Sequence, residues 1–161
     1  MQNIRVGIGY DVHAFAKGRS LILGGVKIDY EQGLMGHSDA DVLVHSIIDS
    51  LLGAANLGDI GQLFPDTDPK YNGISSIELL NHVNSLLLNK NIKIINIDSV
   101  LICERPKIKD FTEKMKLNIS GALNGLSVDR IGIKGTTTEK LGFEGRGEGI
   151  AAQAISLIIV E

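Results

Sequence analysis

The chain has no tryptophan, a single cysteine, three prolines and aromatic residues at only 4%. One cysteine, Cys103, excludes an intramolecular disulfide and suits a reducing compartment. No apolar run approaches the roughly 18 residues that a membrane-spanning helix needs, so no membrane partner is expected. A basic excess is missing as well. Sixteen Lys and Arg against 19 Asp and Glu leave a formal charge of −3, which argues against nucleic acid as a partner. Neither a Walker loop nor a Gly-x-Ser-x-Gly elbow occurs. The opening "MQNIRVGIGYD" enters a strand pattern at once, with no visible leader. The expected location is cytoplasmic, or plastid stroma if a transit segment has been removed.

Glycine is abundant, with 19 residues concentrated in "GHSDAD", "GAANLGDIG" and "GFEGRGEG". At 161 residues the chain can bury a core without staples and is expected to be one catalytic domain over 1–161. Period-2 alternation predicts a strand over 4–13, with "LILGGVKI" at 21–28 as its partner. Ile4, Val6, Ile8 and Tyr10 fall on one face; Arg5, Gly7, Gly9, Asp11 and His13 fall on the other. The next segment predicts a helix over 38–55 with Ser38 as N-cap. A turn-rich loop, "LGDIGQLFPDTDPKYNG", follows, and Ser75 with Glu78 reads as a capping box opening a second helix. Further elements are a strand at 92–103, a helix at 108–123, a strand at 128–134 and a last apolar strand. The expected class is α+β: a mixed sheet of four to five strands with helices on one face. The strands are too apolar for the other face to stay wet, which points to a subunit interface there.

On a helical wheel Asp41, His45 and Asp49 form one polar ridge along the shoulder of the apolar stripe. If the first strand ends beside it, Asp11, His13 and His45 make the N/O donor set of a catalytic zinc with an open fourth position. Asp49, one turn on, is placed to accept from an imidazole N–H. A His–Asp pair with no metal remains the alternative at this point. His37, Ser38 and Asp39 sit where helix N–H groups bind phosphate, although simple capping also explains Ser38. Lys134 with the threonines at 136–138 offers donors to an oxyanion, and Glu139 offers a carboxylate to a hard cation. Asp59, Asp66 and Asp68 lie on the turn-rich loop, and Lys107 follows Pro106. Together these groups suit chemistry on a diphosphate by positioning and charge neutralisation. Two other readings stay open on the residues alone: a metal-dependent phosphohydrolase, and a non-catalytic nucleotide sensor.

"GYDVHAF", "GHSDADVLVHSIIDSLLGAANLGDIGQLFPDTDP" and "KGTTTEKLGFEGRGEGIA" closely resemble the 2-C-methyl-D-erythritol 2,4-cyclodiphosphate synthase family of the non-mevalonate isoprenoid pathway. The resemblance covers essentially the whole chain. It implies a homotrimer with active sites between subunits, in which the 2-phosphate of a cytidyl substrate attacks its β-phosphorus and CMP leaves. It assigns zinc to Asp11, His13 and His45, and a magnesium or manganese bridging the substrate phosphates to Glu139. His37, Ser38, Asp59, Gly61 and Asp66 would hold the erythritol and its phosphates. Cys103, Lys107, Gly135, Thr136 and Thr137 would hold the cytidine end, with Cys103 and Gly135 standing where alanine is common. The implied catalytic set is Asp49, Lys107, Thr137 and Glu139. Phe143 and Arg146, with Glu148, resemble the plug of a central channel that takes an isoprenoid diphosphate.

Overall fold

The computed structural model describes residues 3–160. Its main sheet has five strands: β1 (Asn3–Ala16), β4 (Gly33–Leu34), β5 (Ile92–Ile102), β6 (Ile131–Thr136) and β7 (Gly149–Val160). The order is β4-β1-β7-β5-β6. Only β5 and β6 run parallel; the other neighbours are antiparallel. Long, β-branched β1 and β7 pair continuously from Asn3↔Val160 to Ala14↔Gly149 and form the spine.

Helices α1 (Val42–Ala55), α3 (Ser76–Asn89) and α4 (Thr112–Ala122) cover one face. Helix α1 packs on β1 and β7, α3 on α1, and α4 on α3 and β6. Leu43, Val44, Ile47, Ile48, Leu51 and Leu52 of α1 expose no surface. Burial of each such side chain contributes about 1.5–3 kcal/mol. Short helices α2 (Ile60–Leu63) and α5 (Gly142–Gly145) sit in the loops. The opposite face of the sheet is open and apolar. Ile4, Val6, Ile8, Tyr10 and Val12 of β1 and Ile155 of β7 are exposed, Val6 to 65%.

The two glycines that interrupt the β1 alternation face α1. A Cβ on Gly9 would lie 1.9 Å from the Ser46 carbonyl oxygen, and one on Gly7 would lie 2.0 Å from that of Ser50. Helix backbone therefore rests directly on strand backbone, a distance that no side chain permits.

Several details differ from the sequence reading, among them the helix expected over 108–123, which runs Thr112–Ala122 after a 3₁₀ turn at Lys109–Phe111. Helix α1 begins at Val42, because Ala40 turns through a left-handed φ of 57° and Asp41 becomes the N-cap, accepting from Val44 N–H at 3.1 Å. Residues 21–28 do not pair with β1. They close on themselves as a hairpin of β2 (Leu21–Leu23) and β3 (Val26–Ile28), turned by Gly24 and Gly25 at positive φ. The Asp41 carboxylate pins that hairpin by accepting from the N–H groups of Gly24 at 3.0 Å and Gly25 at 2.7 Å. The Ser75 side chain caps nothing, and the first strand after α4 begins at Ile131, preceded by a 3₁₀ turn over Val128–Arg130.

The close approach predicts a contrast between two glycines. Gly9→Ala should lower the unfolding free energy by about 3 kcal/mol, because the helix must lift off the strand. Gly53→Ala, where the nearest atom is Ile8 O at 3.8 Å, should raise it by about 0.5–1 kcal/mol. Urea unfolding of the two variants measures both; equal effects would contradict the packing argument.

Candidate functional site

Beyond Gly9 the same face of β1 presents Asp11 and then His13. Helix α1 runs antiparallel to the strand, so its first turns bring His45 over them. His13 Nε2 and His45 Nδ1 lie 3.0 and 3.1 Å from Asp11 Oδ2, and 3.3 Å from each other. His13 Nδ1 lies 2.6 Å from the Met35 carbonyl, an acceptor, so its hydrogen resides there. In the neutral ring Nε2 is then bare and faces the carboxylate.

Three electron-rich atoms this close need a positive charge among them. In this protein the charge can be a proton. Burial by itself would raise the Asp11 pKa, but the hydrogen bonds and charges of His13 and His45 outweigh it and hold the carboxyl well below the usual range. Burial likewise disfavours the His13 imidazolium, and the bond to Asp11 overcomes it, so the His13 pKa is raised. A divalent cation satisfies the same demand. All three donor atoms fall within 4.8 Å of one another, and they form the only such cluster among the described residues. Two imidazole nitrogens and one carboxylate oxygen are the donor set of a catalytic site for a borderline metal, with room for a fourth ligand.

The triad opens into a cleft of about 330 Å³ that His37, Ser38, Gly61 and Asp66 also line. The 36–41 segment is shaped by unlike contacts. Arg19 donates to the carbonyls of Gly36 at 2.9 Å and Ser38 at 2.7 Å. Ser38 Oγ accepts from Ala40 N–H at 3.1 Å and lies 3.2 Å from His45 Nε2. The Asp39 carboxylate accepts from the N–H and the hydroxyl of Ser76, so it caps α3 from a distance in sequence.

Asp49 does not meet an imidazole. Its carboxylate accepts from Ile60 N–H at 2.8 Å, anchoring α2 and the loop that carries Gly61 and Asp66. Burial raises its pKa, against the Ile60 bond. Asp59 is occupied as the cap of α2, accepting from Gln62 N and Nε2, both at 2.8 Å, and it does not line the cleft.

A second cavity of about 340 Å³ gathers Cys103, Lys107, Gly135, Thr136 and Thr137. Burial pushes the Cys103 thiol up to about 11, despite the nearby Lys107. A methyl on Gly135 would lie 2.9 Å from Ile108 Cγ1, so its absence leaves that wall to Ile108. Glu139 accepts from Thr137 Oγ1 at 3.0 Å and, with Lys140, has a positive φ. Lys140 N–H reaches Glu104 at 3.1 Å, tying the Thr–Glu loop to the Cys103–Lys107 loop. The two cavities share no lining residue. Phe143 and Arg146 line neither. Arg146 is engaged by Glu148 at 2.7 and 3.3 Å.

Two contributors escaped the sequence reading. Arg19 lies on a loop with nothing in its spacing to mark it. Ser76 stands beside Ser75, which was the better cap candidate on pattern.

The model of the YgbB family matches residues 4–159. The chain is 59% identical over 156 residues to the 2-C-methyl-D-erythritol 2,4-cyclodiphosphate synthase of Clostridium acetobutylicum, covering 97% of this chain and all of that one. Among solved structures, the bifunctional IspDF of Campylobacter jejuni matches at 45% identity and a TM-score of 0.95. The match takes in all of this chain and 43% of that larger protein. A CDP complex of Plasmodium falciparum IspF matches at 38% identity and a TM-score of 0.85, over 98% of this chain and 97% of that one. A family match over nearly the whole chain, 59% identity to a relative covered end to end and a shared fold agree: the chain belongs to the YgbB family of 2-C-methyl-D-erythritol 2,4-cyclodiphosphate synthases.

Proposed function

We propose that this chain converts 4-diphosphocytidyl-2-C-methyl-D-erythritol 2-phosphate into 2-C-methyl-D-erythritol 2,4-cyclodiphosphate and CMP, working as a cytoplasmic homotrimer. The observation that carries the reading is the meeting of Asp11, His13 and His45 at a cleft shared with His37, Ser38, Gly61 and Asp66. No helix among the described residues is long and apolar enough to cross a membrane.

An oxygen of the 2-phosphate bonds to the β-phosphorus, and the bond from that phosphorus to the bridging oxygen breaks. The bridging oxygen leaves on CMP. The attacking oxygen is already anionic, so no general base has to take a proton. Water need not take part, and the protein's task is alignment and charge neutralisation. Asp11 Oδ2, His13 Nε2 and His45 Nδ1 would hold zinc, which when bound withdraws charge from a diphosphate oxygen. Ser38 Oγ accepts from Ala40 N–H, and its own hydrogen is directed to a substrate phosphate oxygen. His37 stands beside it as a second donor. Gly61 and Asp66 take the erythritol hydroxyls, Asp59 holds their loop through its cap, and Asp49 fixes that loop to α1.

Lys107, Thr136 and Thr137 hold the cytidyl phosphates, and backbone at Cys103 and Gly135 takes cytosine. CDP-bound forms among the solved relatives support a cytidine nucleotide as the ligand. Glu139 is one carboxylate, whereas magnesium or manganese requires about six oxygens. Glu139 would therefore hold the second ion through a single carboxylate, and that ion, when bound, would neutralise charge on the substrate phosphates. One copy's nucleotide cavity would serve its neighbour's metal cleft; the separate linings of the two cavities and the open apolar face of β1 and β7 support that reading. Phe143 and Arg146 line the channel on the axis. An isoprenoid diphosphate there has to displace Glu148 from Arg146.

Incubation with the cytidyl substrate should yield CMP and a cyclic diphosphate in equal amounts, read by ³¹P NMR. A linear phosphate with no cyclic product would sink this function. Lys107→Ala should cost one charge-assisted contact, about 2 kcal/mol or roughly 30-fold in kcat/KM. Ile8→Asp should convert the trimer to monomer in sedimentation and abolish CMP release. A fully active monomer would refute the shared site. For Cys103, a pKa of about 11 leaves little thiolate at neutral pH. Reaction with an aromatic disulfide at pH 8 should be about 100-fold slower than for free cysteine, rising nearly tenfold per pH unit. A plateau below pH 9 would contradict it.

A further inference from the structure

We propose that Ser76 and Asp39 are positioning residues that fix His45 with its Nδ1 lone pair aimed between Asp11 and His13. The inference rests on the metal reading of that cluster and deepens it.

The argument is an inventory of hydrogens. Asp39 supplies only acceptors: its Oδ2 takes Ser76 N–H at 3.0 Å, and its Oδ1 takes Asp41 N–H at 3.2 Å and the Ser76 hydroxyl. The single Ser76 hydroxyl hydrogen is thereby committed to Asp39. Its oxygen faces His45 Nε2 at 2.9 Å and can only accept. Nε2 must then carry the imidazole hydrogen, and in the neutral ring Nδ1 is bare. That bare nitrogen is the atom 3.1 Å from Asp11 Oδ2 and 3.3 Å from His13 Nε2. The Met35 carbonyl does for His13 what Ser76 does for His45, on the opposite ring nitrogen. Both rings are thus keyed from behind to present one lone pair each to a common point.

The surroundings fit an orienting role better than a simple tether. Ser76 exposes no surface and His45 only 9%, so the link is shielded from competing water. The Asp39 carboxylate holds both the N–H and the hydroxyl of Ser76, so the hydroxyl oxygen is kept facing the ring. Ala40 keeps a left-handed φ of 57°, and Asp39 and Asp41 on either side of it face separate partners. A non-glycine residue persists there only when its surroundings hold it. Ser38 Oγ, at 3.2 Å from the same Nε2, is the rival partner. As a donor it would reverse the ring, placing hydrogen on Nδ1 and leaving no ligand.

The test has two arms. Long-range ¹H–¹⁵N NMR of the metal-free protein above pH 8 reads the His45 tautomer without any variant. Hydrogen on Nε2 is expected, and hydrogen on Nδ1 would overturn the proposal. Zinc affinity, measured by competition with a chromogenic chelator, should fall about 10- to 100-fold in Ser76→Ala and return to within a few-fold in Ser76→Thr. The visible spectrum of the cobalt-loaded protein should change in the alanine variant alone. Parental affinity in Ser76→Ala, or a loss seen in Ser38→Ala and not in Ser76→Ala, would overturn it. The metal reading fails separately, and is recognised separately, if His13→Ala binds zinc as tightly as the parent.

Discussion

The site depends on one contact: the backbone of α1 lying against the backbone of β1 at Gly7 and Gly9. Carbonyls of Ser46 and Ser50 occupy the space that side chains would fill. Because the helix runs antiparallel to the strand, fixing its middle and its end also fixes its first turns. His45 lies one residue before Ser46, and Asp11 lies two residues beyond Gly9. The spacing that brings carbonyl to glycine therefore brings imidazole to carboxylate. A larger residue at Gly9 would act on the metal cluster as well as on the core.

Such close packing leaves buried polar groups to satisfy, and each has a partner. Ser46 and Ser50 return their hydroxyls to the carbonyls of Leu43 and Ile47, both at 2.8 Å, and Ser50 also meets Ser156 of β7 at 2.5 Å. Asp41 serves three backbone N–H groups in two elements, although burial, together with the neighbouring Asp39 charge, raises its pKa. No fully enclosed side-chain nitrogen or oxygen among the described residues lacks a partner. Small polar residues thus give α1 a second means of attachment where apolar side chains have no room.

The parts of the fold that were legible are those where period decides. Alternation along β1 placed Asp11 and His13 on one face, and the helical wheel placed His45 toward the core. Gly7 and Gly9 were visible as gaps, but alternation alone does not say whether a helix or a subunit fills them. The α1 start was misread because Ser38 is a good cap by type, and only the tertiary turn at Ala40 transfers that role to Asp41. Asp49 was misread for a related reason. The wheel puts it one turn from His45, but a side chain bonds to what lies in front of it, and there the N–H of Ile60 is nearer than the imidazole. Ser76 and Asp39 meet across 37 residues, a separation on which local pattern carries no information. The pairing of residues 21–28 failed because Gly24 and Gly25 permit a reversal tighter than the whole segment suggested.

The alternation of β1 also couples two properties that need not have been coupled. Tyr10 and Val12 point out of the sheet because Asp11 and His13 point in, and a one-residue slip would exchange them. The pairing with β7 prevents that slip over twelve consecutive positions. Opposite Asp11 and His13 on the inner face stand Ala152 and Ile150, small or fully buried, while the exposed apolar row continues from Ile8 onto Ile155. In the proposed trimer, burying that outer row adds to the cost of any register error by the hydrophobic area lost from the interface. Association would then do more than complete the nucleotide site. It would hold the strand in the one register that turns a carboxylate and an imidazole toward His45.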